Sequence, residues 1–316
     1  MSEQLINTTT SGVQYQQTHI LLGDGHLIAW VSSDHDAVYA QQFDTSFQKK
    51  GSELLLVQGV PSMSSPRNPQ LFSTSSGFGL MFRPNDGNLY IKLFSHDGGE
   101  LSSFKRVNKD AISNMQSDAQ WGVVEIDDGY LVVWSGNDGG LQHEEIFGQK
   151  IDTGLDRIGE RFILSSGAEC SKFNPCIYRD NEGLVIAWGS RPQIQDGVFA
   201  NRICMCRYNH QGNPVGACVE INPNDTYSST ARFVQVNASK NGYIVLWKGG
   251  YTNAWALEVD TSLQPLSENS TEIVSGSSDN TVRIIQDNEE YIDNKITSTE
   301  IIKIAKNLLI IRPIDL

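Results

Sequence analysis

Gly129-Tyr-Leu-Val-Val-Trp134 is a short apolar run that opens on glycine and closes on an aromatic. It recurs as Gly25-His-Leu-Ile-Ala-Trp30, Gly77-Phe-Gly-Leu-Met-Phe82, Gly183-Leu-Val-Ile-Ala-Trp188 and Gly242-Tyr-Ile-Val-Leu-Trp247, with glycines 52, 52, 54 and 59 residues apart. A near-constant period decides the architecture, because one repeat is one supersecondary unit that needs neighbours to bury its faces. In each copy an inner strand leads into the glycine and the glycine-led strand is second. Third strands read over Ala37 to Phe43, Asn88 to Phe94, Glu145 to Ile151, Arg202 to Tyr208 and Asn253 to Val259. They end on Asp44-Thr-Ser, Ser95-His-Asp-Gly98, Asp152-Thr-Gly154, Asn209-His-Gln-Gly212 and Asp260-Thr-Ser, residues suited to tight turns. Outer strands read near Glu53 to Val57, Phe104 to Val107, Glu160 to Leu164, Ala217 to Ile221 and Glu272 to Val274. Four short strands per unit of about 50 residues, with no helical periodicity of useful length, define a propeller blade.

The chain ends on Leu308-Leu-Ile-Ile-Arg-Pro-Ile-Asp315, which aligns with the third strand Glu145-Ile-Phe-Gly-Gln-Lys-Ile-Asp152. Gln4-Leu-Ile-Asn7 resembles an outer strand. The sequence therefore predicts an all-β, six-bladed β-propeller over residues 1–316 as a single domain, with four antiparallel strands per blade. In this 3+1 closure the N-terminal strand completes the last blade.

The composition, 39% hydrophobic and 19% charged, is that of a globular chain, and no apolar run reaches the length of a membrane-spanning helix. A net charge of -13 disfavours a phosphate-binding surface, so neither nucleic acid nor membrane insertion is expected. Met1 to Gly12 is polar, without a basic region followed by an apolar core, which gives a cytoplasmic expectation. Oligomeric state leaves no mark. Five cysteines fall between Cys170 and Cys218, an odd number that is no secreted disulfide framework. Cys206 and Cys218 are symmetric about the turn near Gly212, and Cys204 shares a strand face with Cys206. Buried thiols, a disulfide and a zinc site all fit that spacing.

The chain resembles repeats found in bacterial proteins, often large calcium-binding or surface ones. In those, a Gly-aromatic-Val-Val-Trp strand precedes an Asp-Gly turn, a Gly-Gln-Arg-Phe-like strand and an outer strand ending in Val-Asn. Ile146-Phe-Gly-Gln149 and Val107-Asn108 carry the match, with Tyr39-Ala-Gln-Gln-Phe43 looser. The resemblance implies a propeller and ligand binding, and it transfers no catalytic residue. The sialidase box, the Trp-Asp repeat spacing and regular Asp-x-Asp-x-Asp-Gly calcium loops are absent from the sequence.

Outer-to-inner and second-to-third connections open on one end of a blade and hold the long, variable loops, where function concentrates. Gln16, Asn68, Gln120, Asn174 and Asn280 stand at equivalent inner-strand positions, and their amides suit the hydroxyls of a sugar, although backbone capping explains them as well. Asp34, His35 and Asp36 form the only compact acid and base group; His143-Glu144-Glu145 is a distant second, because Glu145 begins a strand and reads better as a solvated edge. Asp86, Asp138 and Asp196 lie beside glycine and suit either turns or calcium, and no other cofactor is expected. The repeated terminal tryptophans read as packing residues between blades. The leading function is a lectin-like module binding a glycan or another small polar ligand. The alternatives are a hydrolase or lyase with one cleft, or a protein-interaction platform.

Overall fold

The computed structural model describes residues 6–8, 14–58, 67–109, 121–137, 141, 143–165, 170–195, 198–200, 202–222, 231–249 and 253–274. Among them lie five four-stranded antiparallel sheets, each taking its strands in sequence order from inner to outer edge. Blade one comprises Gln14–Leu22, Gly25–Ser32, Ala37–Phe43 and Lys49–Gln58. Blade two comprises Arg67–Thr74, Gly77–Arg83, Tyr90–Ser95 and Lys105–Arg106. Trp121–Ile126, Gly129–Gly136, Glu145–Ile151 and Arg157–Ile163 form blade three. Lys172–Arg179, Leu184–Ser190, Arg202–Tyr208 and Pro214–Glu220 form blade four, and Ala231–Ser239, Gly242–Gly249, Asn253–Asp260 and Thr271–Val274 form blade five. The fold is an all-β propeller fold of these blades.

The second strand is almost wholly apolar because both of its faces are buried, as along Gly25–Ser32 and Gly129–Gly136, where only His26, Ser32 and Ser135 are polar. Alternate side chains serve alternate neighbours. Leu131 and Val133 of blade three meet Leu184, Ile186 and Trp188 of blade four, while Val185 and Ala187 meet Tyr243, Val245 and Trp247 of blade five. Leu27, Ala29 and Val31 likewise meet Phe78, Leu80 and Phe82 in blades one and two. Trp30, Trp134, Trp188 and Trp247 are all buried, as their repeated register predicts. Full burial of a large apolar side chain contributes roughly 1.5–3 kcal/mol.

The leading glycine is set by a close approach. At Gly77, with φ +152°, an added Cβ would sit 2.2 Å from the Phe94 carbonyl oxygen, and Gly183 stands in the same relation to Tyr208. The turns between third and outer strands share one device. Asp44, Asn209 and Asp260 each accept two backbone N–H groups of their own turn through Oδ1, at 2.8–3.1 Å, and Asp152 accepts that of Asp156 at 2.8 Å. A left-handed residue follows three positions on, at Phe47, Leu155, Gly212 and Leu263. The Val-Asn ending of outer strands is a backbone cap: Leu89 N–H donates to Asn108 Oδ1 at 2.7 Å, and Ile203 N–H to Asn222 Oδ1 at 2.6 Å. Ser165 Oγ takes that place in blade three, accepting from Ile146 N–H at 3.0 Å.

The six-bladed expectation is corrected to five blades among the described residues, and with it the 3+1 closure. Thr271–Val274, from the same repeat, already fills the outer edge of blade five. Ile6 and Asn7 are not in a strand, and Thr8 N–H donates to Glu53 Oε1 on the outer strand of blade one. The rest of the expected seam, Gln4, Leu5 and 308–315, lies outside the described residues. In sequence the terminal segment resembles a third strand, but no glycine-led apolar run of the kind shared by the five blades precedes it. Two compact units divide the fold. One contains residues 1–118, 151–158 and 313–316, and the other residues 119–150 and 159–312.

Gly77→Ala and Gly183→Ala are expected to lower unfolding stability by more than about 2 kcal/mol each, through strand separation at the third strand. Gly23→Ala, where an added Cβ meets nothing within 4 Å, isolates the left-handed backbone cost of about 1–2 kcal/mol. Urea unfolding of the three variants checks the ranking, and equal losses would refute the close-approach explanation.

Candidate functional site

The group expected from Asp34, His35 and Asp36 forms the turn after the second strand of blade one. His35 Nδ1 lies 3.2 Å from Ser32 Oγ, which also accepts from Gln14 Nε2 at 3.3 Å. Ser32 is fully buried, so its hydroxyl is a structural partner rather than an accessible nucleophile. Asp34 accepts from Ser33 Oγ at 3.2 Å, and Asp36 adopts a left-handed backbone with φ 44°.

Gln16, Asn68 and Asn174 occupy the same bulge of three inner strands, each left-handed, with φ 53°, 48° and 52°. The register shifts between Tyr15 and Thr18, Arg67 and Gln70, and Phe173 and Cys176 mark that bulge. Asparagine tolerates this conformation. Gln16 is held there by Asn68, whose backbone N–H donates to Gln16 Oε1 at 2.7 Å. Gln120 and Asn280 lie outside the described residues, as do Asp138 and Asp196. Asp86 accepts the backbone and side-chain N–H groups of Asn88 at 2.9 Å and the Tyr90 hydroxyl at 2.8 Å, as a turn carboxylate does. No cluster of three or more His, Cys, Asp or Glu able to hold a metal occurs among the described residues.

A denser constellation stands at the loop end of blades three and four. Lys172 opens the inner strand of blade four with its side chain only 4% exposed, and its Nζ donates to Glu145 Oε1 at 2.9 Å and to the Cys170 carbonyl at 3.2 Å. Ser165 Oγ donates to the other oxygen of Glu145. A buried cation and a hydroxyl thus fix the Glu145 carboxylate in one orientation. Glu144, one residue earlier and outside the strand, has no such partner among the described residues, and burial raises its carboxyl pKa. The second acid and base group anticipated from sequence is therefore the better-built one. Beside it, Arg202 and Glu220 pair at 2.8 Å, and Ser190 Oγ meets Cys204 Sγ at 3.5 Å. Burial pushes the Cys204 thiol up to about 11, which keeps it protonated. Lys172 escaped sequence reasoning because its partner lies 27 residues away on another blade.

Cys206 and Cys218 form a disulfide between the third and outer strands of blade four, and Cys170, Cys176 and Cys204 are not disulfide-bonded. At the opposite, tight-turn end, Asp180 joins blades four and five. Its carboxylate accepts from the Tyr243 hydroxyl, from Arg207 Nη2 at 3.3 Å and from the backbone N–H groups of Glu182 and Gly183 at 2.8 Å. Arg207 Nε also donates to the Thr261 carbonyl at 2.8 Å.

No family model matches the chain, and a search of curated proteins finds no match. Among solved structures, an α-L-arabinofuranosidase from Fusarium graminearum in complex with an iminosugar inhibitor is similar in fold. It is 13% identical with a TM-score of 0.52, over 80% of this chain and 79% of that one. A point mutant of the same enzyme, also with an iminosugar inhibitor, is 12% identical with a TM-score of 0.55, over 83% of this chain and 82% of that one. At such identities the likeness shows a shared fold.

Burial alone would raise the Asp180 carboxyl, but the bonds from Tyr243, the backbone and Arg207 outweigh it and hold it below the ordinary aspartate value. A carboxyl depressed in the folded chain stabilises it above the unfolded pKa, and that contribution disappears as pH falls through the folded value. Tyr243→Phe removes one of those bonds. Its urea midpoint should fall less steeply than that of the wild type as pH is lowered below about 4. Parallel curves would show that the Tyr243 bond does not depress the Asp180 carboxyl.

Proposed function

We propose that this chain is a glycoside hydrolase whose reaction centre is the loop end of blades three and four. One observation carries the reading: two neighbouring carboxyls stand in opposite environments. Glu144 is half-buried, and burial favours its protonated form. Glu145 is held as an acceptor by Lys172 and Ser165. Carboxyl pairs with separated environments divide into proton donor and charge-stabilising partner, which is the division that glycosidic cleavage needs. Glu144 would pass its proton to the leaving oxygen as the glycosidic C–O bond breaks. Glu145 would face the positive charge developing on the sugar carbon, with Lys172 fixing its orientation. A proton returning from the incoming water would restore Glu144.

The sequence favours a ligand-binding module without turnover. The fold neighbours bind iminosugar inhibitors and are enzymes, which supports a glycan ligand and shifts the preference to hydrolysis. The amides Gln16, Asn68 and Asn174 remain candidates for substrate contact in this reading.

The test is release of p-nitrophenol from a panel of aryl glycosides, beginning with the α-L-arabinofuranoside. On an unactivated oligosaccharide Glu144→Gln is expected to lower kcat by about 10²–10⁴-fold, and by less on the p-nitrophenyl glycosides, whose leaving group departs without a proton, while oligosaccharide binding and thermal stability stay unchanged. Activity should fall on the alkaline side as Glu144 loses its proton, at a pH above the ordinary glutamate range. Glu145→Gln leaves Lys172 uncompensated, so it is paired with Glu145→Gln/Lys172→Met to separate misfolding from loss of chemistry. Glycan binding without turnover of any substrate would return the chain to the non-catalytic reading.

A further inference from the structure

One position of the third strand differs between blades in chemistry but not in place. Gln41, Lys92, Cys206 and Leu257 pair with Ile28, Leu80, Ile186 and Val245, each the third residue after the leading glycine. Gln149 holds that place in the sequence of blade three. Its occupants are buried in all five blades, and polar in three of the four whose partners follow. In blade one, Gln41 Nε2 donates to the carbonyls of Lys50 at 3.0 Å and Gly51 at 3.4 Å on the outer strand. In blade three, Gln149 Nε2 donates to the Gly159 carbonyl at 3.3 Å. Both glycines lie ten residues beyond their glutamine and are left-handed, with φ 68°. Lys92 reaches the outer edge of blade two through Glu100.

Blade four keeps the frame of blades one and three with a different fastener. Gly216, ten residues beyond Cys206, is left-handed with φ 82°, and the register shifts between Met205 and Arg207 as it does around Gln41. Cys206 is bonded to Cys218 with their Cα atoms 4.4 Å apart. We propose that this disulfide replaces the glutamine amide as the tie between third and outer strands, and that it makes the outer strand of blade four a redox-sensitive edge. A dithiol reductant would break the S–S bond by two successive thiolate attacks. Two electrons and two protons pass to Cys206 and Cys218, and the reductant leaves as its own cyclic disulfide. A thiol is a weak donor and cannot stand in for the amide. Pro214–Glu220 would then loosen, and with it the Arg202–Glu220 pair at its loop end. Blades one and three, tied by amides, would not respond. The inference is independent of the hydrolase reading, since its measurements concern backbone protection alone.

Hydrogen exchange on the full chain, with and without dithiothreitol, tests it. Amides of 214–220 are expected to exchange at least about tenfold faster after reduction, while 157–163 and 49–58 stay unchanged. In Cys206→Gln/Cys218→Ala, the restored amide should protect 214–220 and remove the sensitivity to dithiothreitol. Unchanged exchange in 214–220 on reducing the wild-type chain would overturn the proposal, whatever the fate of the variant. So would five free thiols in the denatured chain before reduction.

Discussion

Burial of the second strand on both faces is the constraint on which the rest of the structure depends. A strand with one wet face reads as alternating apolar and polar residues, whereas a strand between two neighbours reads as a near-continuous apolar run. Leu131 and Val133 serve one contact and Tyr130, Val132 and Trp134 the other face, so a single strand takes part in two packing surfaces. The leading glycine follows from the same demand, because the second strand must begin hard against the end of the third. The variable chemistry of each blade is displaced to its two ends and its outer edge.

This division explains what could be read in advance. The repeated run from Gly25 to Trp247 discloses the strands because their burial leaves no freedom in the pattern. Third strands such as Arg202–Tyr208 and Glu145–Ile151 fall on the residues that their turn signature implies. The expected sixth blade rests on a weaker signal. Leu308-Leu-Ile-Ile resembles a third strand in hydrophobicity alone, and apolar runs of that length do not distinguish one strand from another.

The ends of the blades are less legible because their interactions join residues remote in sequence. Lys172 and Glu145 belong to different blades, and neither stands out by composition. The amides at Gln16, Asn68 and Asn174 were visible as an aligned set, yet their left-handed backbone was not, since glutamine has no special tendency toward it. The disulfide was one of several arrangements that its symmetric spacing allowed. What distinguishes it is position: Cys206 occupies a place where blades one and three use an amide that reaches the outer strand, and blade two an ammonium paired with Glu100.

The separation of an invariant middle from a variable rim bears on how such a chain diverges after duplication. A change in the middle strand is felt by two neighbours at once and needs two compensations, whereas a change of fastener at the rim needs only one, within its own sheet. Copies should therefore drift apart from the outside inward. Their common origin stays written in the second strand long after the edges have ceased to resemble each other.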